Sequence, residues 1–503
     1  THHGDIYVEG HRGTYTTQGC LKRMNRRLEV RLTHLEQLYT MRPPVEYPRG
    51  ELEAAWKIVL TNQFHDILPG SGIREVIEDA MAHYAEADAT CDLLERRWSE
   101  TLPDAEGRSG FHNALNDVWT GVLPMECAPK DAPAQREPDG RVVAGLRLSP
   151  GPAPALEVVD EAPATTALSE PVLENEHLRC VFNASGEIES LIRKADGREW
   201  AQGGERGNRL SLYVDRPVDW DAWDVDRFYR EECVGTAEAV GEWTGWTGPA
   251  RSVLEFRLKL GSSMLRQRCS LAVGSPRIDF ETEVDWSERH KMLRVGFETP
   301  LRRGWLRTSV QHGFVDRPAN WNNSHEAAKF EVPCQRWAAL MDGECGMALL
   351  NDSKHGIRGE GGLLELALLR ASTFPDYDGD QGKHEFTYGF MPFEGDPVTA
   401  GVSREADRLN VPPLQVPGKD TGVVEPLVQL DGPATIECLK QAEAGDGVVL
   451  RLGNPTDRTI TASIQPRSGK PLLETDCLEK VEAVAESPVQ IAPFQFRTFK
   501  FEV

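Results

Sequence analysis

Between residues 73 and 98 the side chains Ile73, Ile77, Ala80, Tyr84, Ala87, Cys91, Leu94 and Trp98 step alternately by four and three. An α-helix with one buried face lines up such a series, because its turn repeats every 3.6 residues. Ser71 stands where its hydroxyl can accept from the free amides of the next turn. Two earlier stretches share the period. Leu21, Met24, Leu28, Leu32, Leu35 and Tyr39 predict a helix that Pro43 and Pro44 end, and Leu52, Trp56, Val59 and Leu60 predict another that runs to Gln63 or His65 and stops at Pro69 and Gly70. Three amphipathic helices with short connections predict an antiparallel three-helix bundle.

From about Asp104 the period changes to two. In "RIDFETEVDWSE" the residues Ile278, Phe280, Thr282, Val284 and Trp286 alternate with acidic ones, the pattern of a strand with one buried face. Beta structure is predicted to continue to Val503. The stretch "SPGPAPALEVVDEAPATTA" (149–167) follows neither period and reads as a linker, and "NVPPLQVPGKDTG" (410–422) reads as a second break. A chain of 503 residues exceeds the roughly 250–300 residues at which single cores stop growing. The expected class is therefore multidomain α+β: the bundle within 1–103, a small β domain and linker over 104–167, a large β-sandwich over 168–410 and a C-terminal β domain over 411–503.

The net charge of -23, without a cluster of Lys and Arg, argues against nucleic acid as a partner. No apolar run approaches the roughly 18 residues that cross a bilayer, and the first residues lack the grading of a signal peptide, so no membrane partner is expected. Ten cysteines lie scattered without a CxxC pair, which fits reduced thiols in a cytoplasm. Asn183, Asn322 and Asn351 open Asn-x-Ser/Thr patterns short enough to arise by chance.

Three stretches could carry chemistry. In "NQFHDILPG" His65 offers an imidazole to a metal, and Asp66 can orient it, ligate beside it or accept a sugar hydroxyl. With no HxH or HxxxH partner nearby, spacing alone favours a structural histidine at a helix end. In "DIYVEGHRGTYTTQ" Glu9 could serve as a general acid if burial raises its pKa, with Gly10 and Gly13 permitting close backbone approach. The plainer alternative is a solvated Glu9–Arg12 pair. In "LLRASTFPDYDGDQGKHEFTY" Arg370, Asp376, Asp378, Asp380 and His384 gather beside aromatic residues, which suits sugar hydroxyls; an ordinary acidic loop or an imperfect calcium loop fits as well.

Together these stretches resemble the glycoside hydrolase family 38 α-mannosidases, in particular their cytosolic-type branch. The blocks "IYVEGHRGTYTTQGCLKRMNRRLE", "WKIVLTNQFHDILPGSGI", "VDWSERHKMLRVGFE", "HGFVDRPANWNNSHEAAKFEVP", "LLNDSKHG" and "DQGKHEFTYGFMP" follow the family's order. The resemblance implies that His65 ligates a Zn2+ ion that also binds the mannose, and that Asp66 contacts the sugar. Phe64 stands where the Golgi and lysosomal branch has a histidine. Glu9 falls at the acid/base position, one carbon longer than that branch's aspartate, with His11 as the nearby alternative; Arg370 and Asp380 fall near residues of the substrate pocket.

The implied fold adds a large sandwich of the galactose-mutarotase type, and the implied activity is retaining hydrolysis of terminal α-D-mannosides in oligosaccharides. Carboxylates about 5 to 5.5 Å apart would serve that chemistry. The family's amino-terminal α/β domain, with its nucleophilic aspartate and remaining zinc ligands, has no counterpart in the sequence. These 503 residues alone are thus expected neither to hydrolyse an aryl α-mannoside nor to hold zinc tightly. A homo-oligomer is compatible with the resemblance. A non-catalytic carbohydrate-binding or scaffold fragment is the alternative, and zinc content separates the two.

Overall fold

A computed structural model describes residues 10–42, 45–201, 204–301 and 304–503. Its first part is three long helices, α1 (Gly19–Thr40), α2 (Arg49–Asn62) and α3 (Arg74–Glu100). The four-three series on α3 is buried from Ile77 to Trp98, and it meets Leu21, Leu28, Leu32 and Leu35 of α1 in one core. Each such side chain taken from water contributes roughly 1.5–3 kcal/mol. Tyr39 and Trp98, both buried, also place their polar ends: Tyr39 Oη donates to the Leu94 carbonyl at 3.0 Å, and Trp98 Nε1 donates to that of Leu38 at 3.1 Å.

The helix ends differ from the sequence expectation. α2 stops at Asn62, so His65 lies beyond the helix in a run of turns and not on its last turn. α3 begins three residues after Ser71, with extended Ile73 at its cap and no side-chain cap bond. Ser71 is buried and Ile73 exposed. Pro43 and Pro44, expected to end α1, lie outside the described residues.

The bundle does not close its core alone. Its helices share it with Val448, Leu450 and Phe499 of the terminal strands, so the two ends of the chain form one packing unit. Between them, among the described residues, lie four other apolar clusters. The largest belongs to a sandwich of an eleven-stranded and a six-stranded antiparallel sheet. Strand Ile278–Trp286 alternates buried and less buried positions as its sequence predicts. Phe280 stacks on Tyr388 across the sheet at 4.9 Å and meets Phe297 of the opposite sheet edge to face at 5.9 Å.

A small four-stranded sheet overturns both predicted linkers. Residues Gly151–Val159, inside the Pro- and Ala-rich stretch, form a strand paired with Asp104–Asn113. Leu414–Lys419, inside the second break, pairs with the other edge of that same strand. Both segments lack clean alternation because Pro and Gly interrupt them. Strands of a small sheet, bordered by edges, tolerate such residues where their N–H groups are not needed. The small sheet thus borrows a strand from some 300 residues away, a pairing no local signal announces.

Candidate functional site

The turn carrying His65 and Asp66 is held from below. Lys22 of α1 is buried, and its Nζ donates to the carbonyls of Thr17, Leu68 and Pro69 at 2.5, 2.9 and 3.2 Å. Burial pulls its pKa down to about 8, against the opposing charge of Asp380. Gly70 has φ +81°, and a Cβ there would come within 2.5 Å of the Thr17 carbonyl oxygen. Glycine is therefore required both for the left-handed backbone and for the close approach. These contacts seat the 65–70 turn on the 13–18 segment.

On that seat His65 and Asp66 face water, with 77% and 67% of their side chains exposed. Their Nε2 and Oδ2 lie 3.6 Å apart. Phe64 packs against the imidazole, ring centroids 4.3 Å apart. His11 is likewise exposed, at the start of the 13–18 segment. Glu9, the expected acid, lies outside the described residues. Arg12 is not solvated: it is buried over the Phe330 ring and pairs with Asp224 at 3.3 Å, while its pairing with Glu9 lies outside the described residues.

Arg370 and Asp380 have other duties than the direct sugar contacts expected of them. Arg370 is fully buried; its Nε pairs with Asp215 at 2.7 Å, and its other nitrogens donate to Thr17 Oγ1 at 3.0 Å and to the carbonyls of Ala222 and Asp224 at 3.2 and 2.7 Å. Gly13 makes room for it, since any side chain there would overlap the guanidinium. Burial pushes the Asp215 carboxyl up, and Arg370 opposes that shift. Asp380 accepts from the backbone N–H groups of Gln18 at 2.6 Å and Gly19 at 2.8 Å. It caps α1 from a distant loop, where the helix macrodipole favours a negative charge.

The rest of the acidic loop is equally tied. Asp376 accepts from Gln18 Nε2 at 3.0 Å and pairs with Arg74 at 3.3 Å, and Asp378 pairs with Arg74 at 2.6 Å and Arg289 at 2.5 Å. His384 bonds the Asp380 carbonyl at 2.7 Å. These bonds explain the loop as a clamp across α1, α3 and the sandwich and leave the calcium-loop alternative without support.

Sequence reasoning missed "DWDAWDVDRFY" (219–229), which folds over Arg370 and exposes Trp220 beside this clamp. Its signal was available: tryptophans interleaved with aspartates, fitting neither a helical nor a strand period.

Comparison with known proteins now gives the class. Residues 9–100 match the alpha mannosidase middle domain, residues 173–378 the glycosyl hydrolases family 38 C-terminal domain, and residues 434–499 that family's C-terminal beta sandwich domain. These are domains of a glycoside hydrolase. The chain belongs to glycosyl hydrolase family 38. It is 34% identical over 468 residues to alpha-mannosidase 2C1 of Homo sapiens, covering 89% of this chain and 45% of that protein. It is 30% identical over 571 residues to alpha-mannosidase G of Dictyostelium discoideum, covering 99% and 52%. The chain thus spans about half the length of the curated relatives it matches. In fold it resembles the crystal structure of an alpha-mannosidase from Enterococcus faecalis V583, with a TM-score of 0.80, 16% identity, and coverage of 98% of this chain and 69% of that one.

Proposed function

We propose that this chain builds the later part of an α-mannosidase site, which hydrolyses terminal α-D-mannosides of oligosaccharides with retention and with zinc bound. The observation that carries the reading is the outward-facing His65–Asp66 pair on a turn fixed by Lys22 and Gly70. The pair fits a metal as a partial donor set: two vertices of a tetrahedral site with bonds of about 2.0–2.1 Å stand roughly 3.4 Å apart, close to the 3.6 Å observed. Among the described residues no three His, Cys, Asp or Glu side chains gather to hold a metal. The reading therefore assigns the remaining ligands and the attacking carboxylate to groups outside the described residues.

Zinc, when bound, supplies Lewis-acid polarisation of the sugar hydroxyls. His65 would hold that ion through its imidazole, and Phe64 packs against the ring. Asp66 accepts a sugar hydroxyl through the oxygen it does not turn to His65. Glu9 is the proposed proton donor to the leaving oxygen, and His11 stands near enough in sequence to substitute or assist. Arg370 and Asp380 act behind the site, by holding the 13–18 segment under it.

Cytoplasmic residence is part of the proposal. All ten cysteines are unpaired, as a reducing compartment leaves them. No helix among the described residues is long and apolar enough to cross a membrane. In a protein of the relatives' length that contains this chain, His65→Ala is expected to abolish bound zinc and turnover of an aryl α-mannoside. Retention of both would remove the reading.

A further inference from the structure

Four aromatic side chains gather on two loops, one of them bonded to the 13–18 segment, without entering a core. Trp220, Phe374 and Tyr377 are 65%, 60% and 65% exposed. Trp223 joins the first two, its ring centroid 5.8 Å from Trp220, edge to face, and 6.4 Å from Phe374. Trp220 also adopts φ +61°, a left-handed conformation that a bulky residue holds only when its surroundings enforce it. Strain of this kind gathers where a side chain must be presented in one orientation.

The surroundings do enforce it. Asp221 Oδ2 accepts from the backbone N–H groups of Thr373 at 2.6 Å and Phe374 at 3.1 Å, while Ala222 N–H donates to the Phe374 carbonyl at 3.1 Å. Thr17 Oγ1 donates to the Ala222 carbonyl at 2.8 Å, and Gly13 N–H to that of Trp223 at 2.8 Å. The two ring-bearing loops are thus joined to each other and to the same 13–18 segment that seats His65 and Asp66. Rings held this way lose little freedom when a ligand stacks on them.

The charges around the patch decide the ligand's chemistry. Arg289 lies over Tyr377 at 4.2 Å and pairs with Asp378, and Arg74 bridges Asp376 and Asp378. Beside Tyr377 the charges of Arg289, Arg74, Asp376 and Asp378 thus offset one another, and Asp219, exposed next to Trp220, adds a hydrogen-bond acceptor. Flat apolar faces beside hydrogen-bonding but compensated groups suit a neutral, hydroxyl-bearing ring. We propose that Trp220 and Phe374 form a stacking subsite for a second sugar ring of a manno-oligosaccharide, beyond the ring held at His65 and Asp66. This rests on the mannoside reading and adds to it a preference for linked sugars over single ones.

The test is calorimetric titration of this chain with an α-linked mannotriose and with methyl α-mannoside. The trisaccharide is expected to bind more tightly than the monosaccharide. Trp220→Ala should weaken it roughly tenfold, Phe374→Ala by a smaller factor, and Trp220→Tyr should retain most of the affinity. Near-ultraviolet circular dichroism establishes that each variant is folded, and Phe374→Ala carries the test if Trp220→Ala is not. The subsite is overturned if the wild-type chain fails to bind mannotriose or if both alanine variants bind it as the wild type does. It is equally overturned if, in a protein of the relatives' length, Trp220 is shielded from acrylamide quenching without sugar, because the rings then serve a protein contact. Turnover of an aryl α-mannoside by that longer protein would in those cases leave the hydrolytic reading standing and remove the stacking subsite alone.

Discussion

His65 and Asp66 leave most of their side chains in water, whereas Arg370 and Asp380 are 0% and 5% exposed, although all four carry the polar groups that a sugar site uses. The first pair has a backbone pinned by Lys22 and side chains that are nearly free. In the second pair the side chains themselves do the pinning, Arg370 through Asp215 and three further acceptors, Asp380 through two amides of α1. A charged residue available to a ligand keeps unsatisfied bonding capacity facing solvent, and one that builds the scaffold has used that capacity inside. Composition cannot tell the two apart.

The comparison breaks most visibly at Arg370. Arg370→Ala leaves the Asp215 carboxylate buried without its partner and should destabilise the protein by about 3–5 kcal/mol, read from urea unfolding. Replacing both partners, Arg370→Met with Asp215→Leu, should recover much of that loss, because no charge is then stranded. If Arg370→Ala unfolds at the wild-type midpoint, the guanidinium is not structural.

Histidines repeat the contrast. His34 on α1 and His112 on strand Asp104–Asn113 meet edge to face at 5.6 Å inside the protein. Burial pulls His34 down to about 4, and burial followed by the neighbouring His34 pulls His112 well down. An unfolded histidine takes up its proton near pH 6.5. Between about 6.5 and 4 the unfolded chain therefore binds a proton that folded His34 refuses, so stability falls as pH falls through that window. The loss from His34 is on the order of 3 kcal/mol, and His34→Leu should flatten the decline measured between pH 7 and pH 4.5.

Asp380→Ala removes an acceptor from the first amides of α1 and a charge that opposes the burial of Lys22 and Lys354. The expected cost is about 1–2 kcal/mol, with faster hydrogen exchange at the Gln18 and Gly19 amides. Unchanged exchange there would separate Asp380 from the helix end.

What the sequence made legible follows the range of the forces involved. The α3 series and the alternation of Ile278–Trp286 are local, and both bury as their periods require, the first from Ile77 onward. The His65–Asp66 turn, read as a candidate site, was placed on a helix that ends at Asn62, because a proline and a glycine bound a helix end only loosely. Residues 151–159 and 414–419 were read as linkers because their strand character comes from a partner strand, not from their own pattern. Arg370 and Asp380 were misassigned for the same reason: Asp215 lies 155 positions from Arg370, and the amides Asp380 caps lie some 360 positions away. The aromatic loop at 219–229 declared itself in composition, yet its meaning depends on contacts with Thr17 and Phe374 that only folding creates.

The smallest effect on stability belongs to His65, and it is the sharpest test of the contrast. Its ring touches Phe64 and faces solvent, and the turn beneath it is fixed by main-chain carbonyls bonded to Lys22 rather than by the imidazole. His65→Ala should therefore leave the unfolding midpoint where it was, while Lys22→Met, which removes the pin, should lower it. On the proposed zinc reading, the order should reverse for function in a protein of the relatives' length: zinc binding is expected to disappear with His65→Ala and to survive in part with Lys22→Met, because the imidazole is still present on a loosened turn. A His65→Ala variant that unfolded as readily as Arg370→Ala would put this histidine among the scaffold residues and erase the distinction between the two regions.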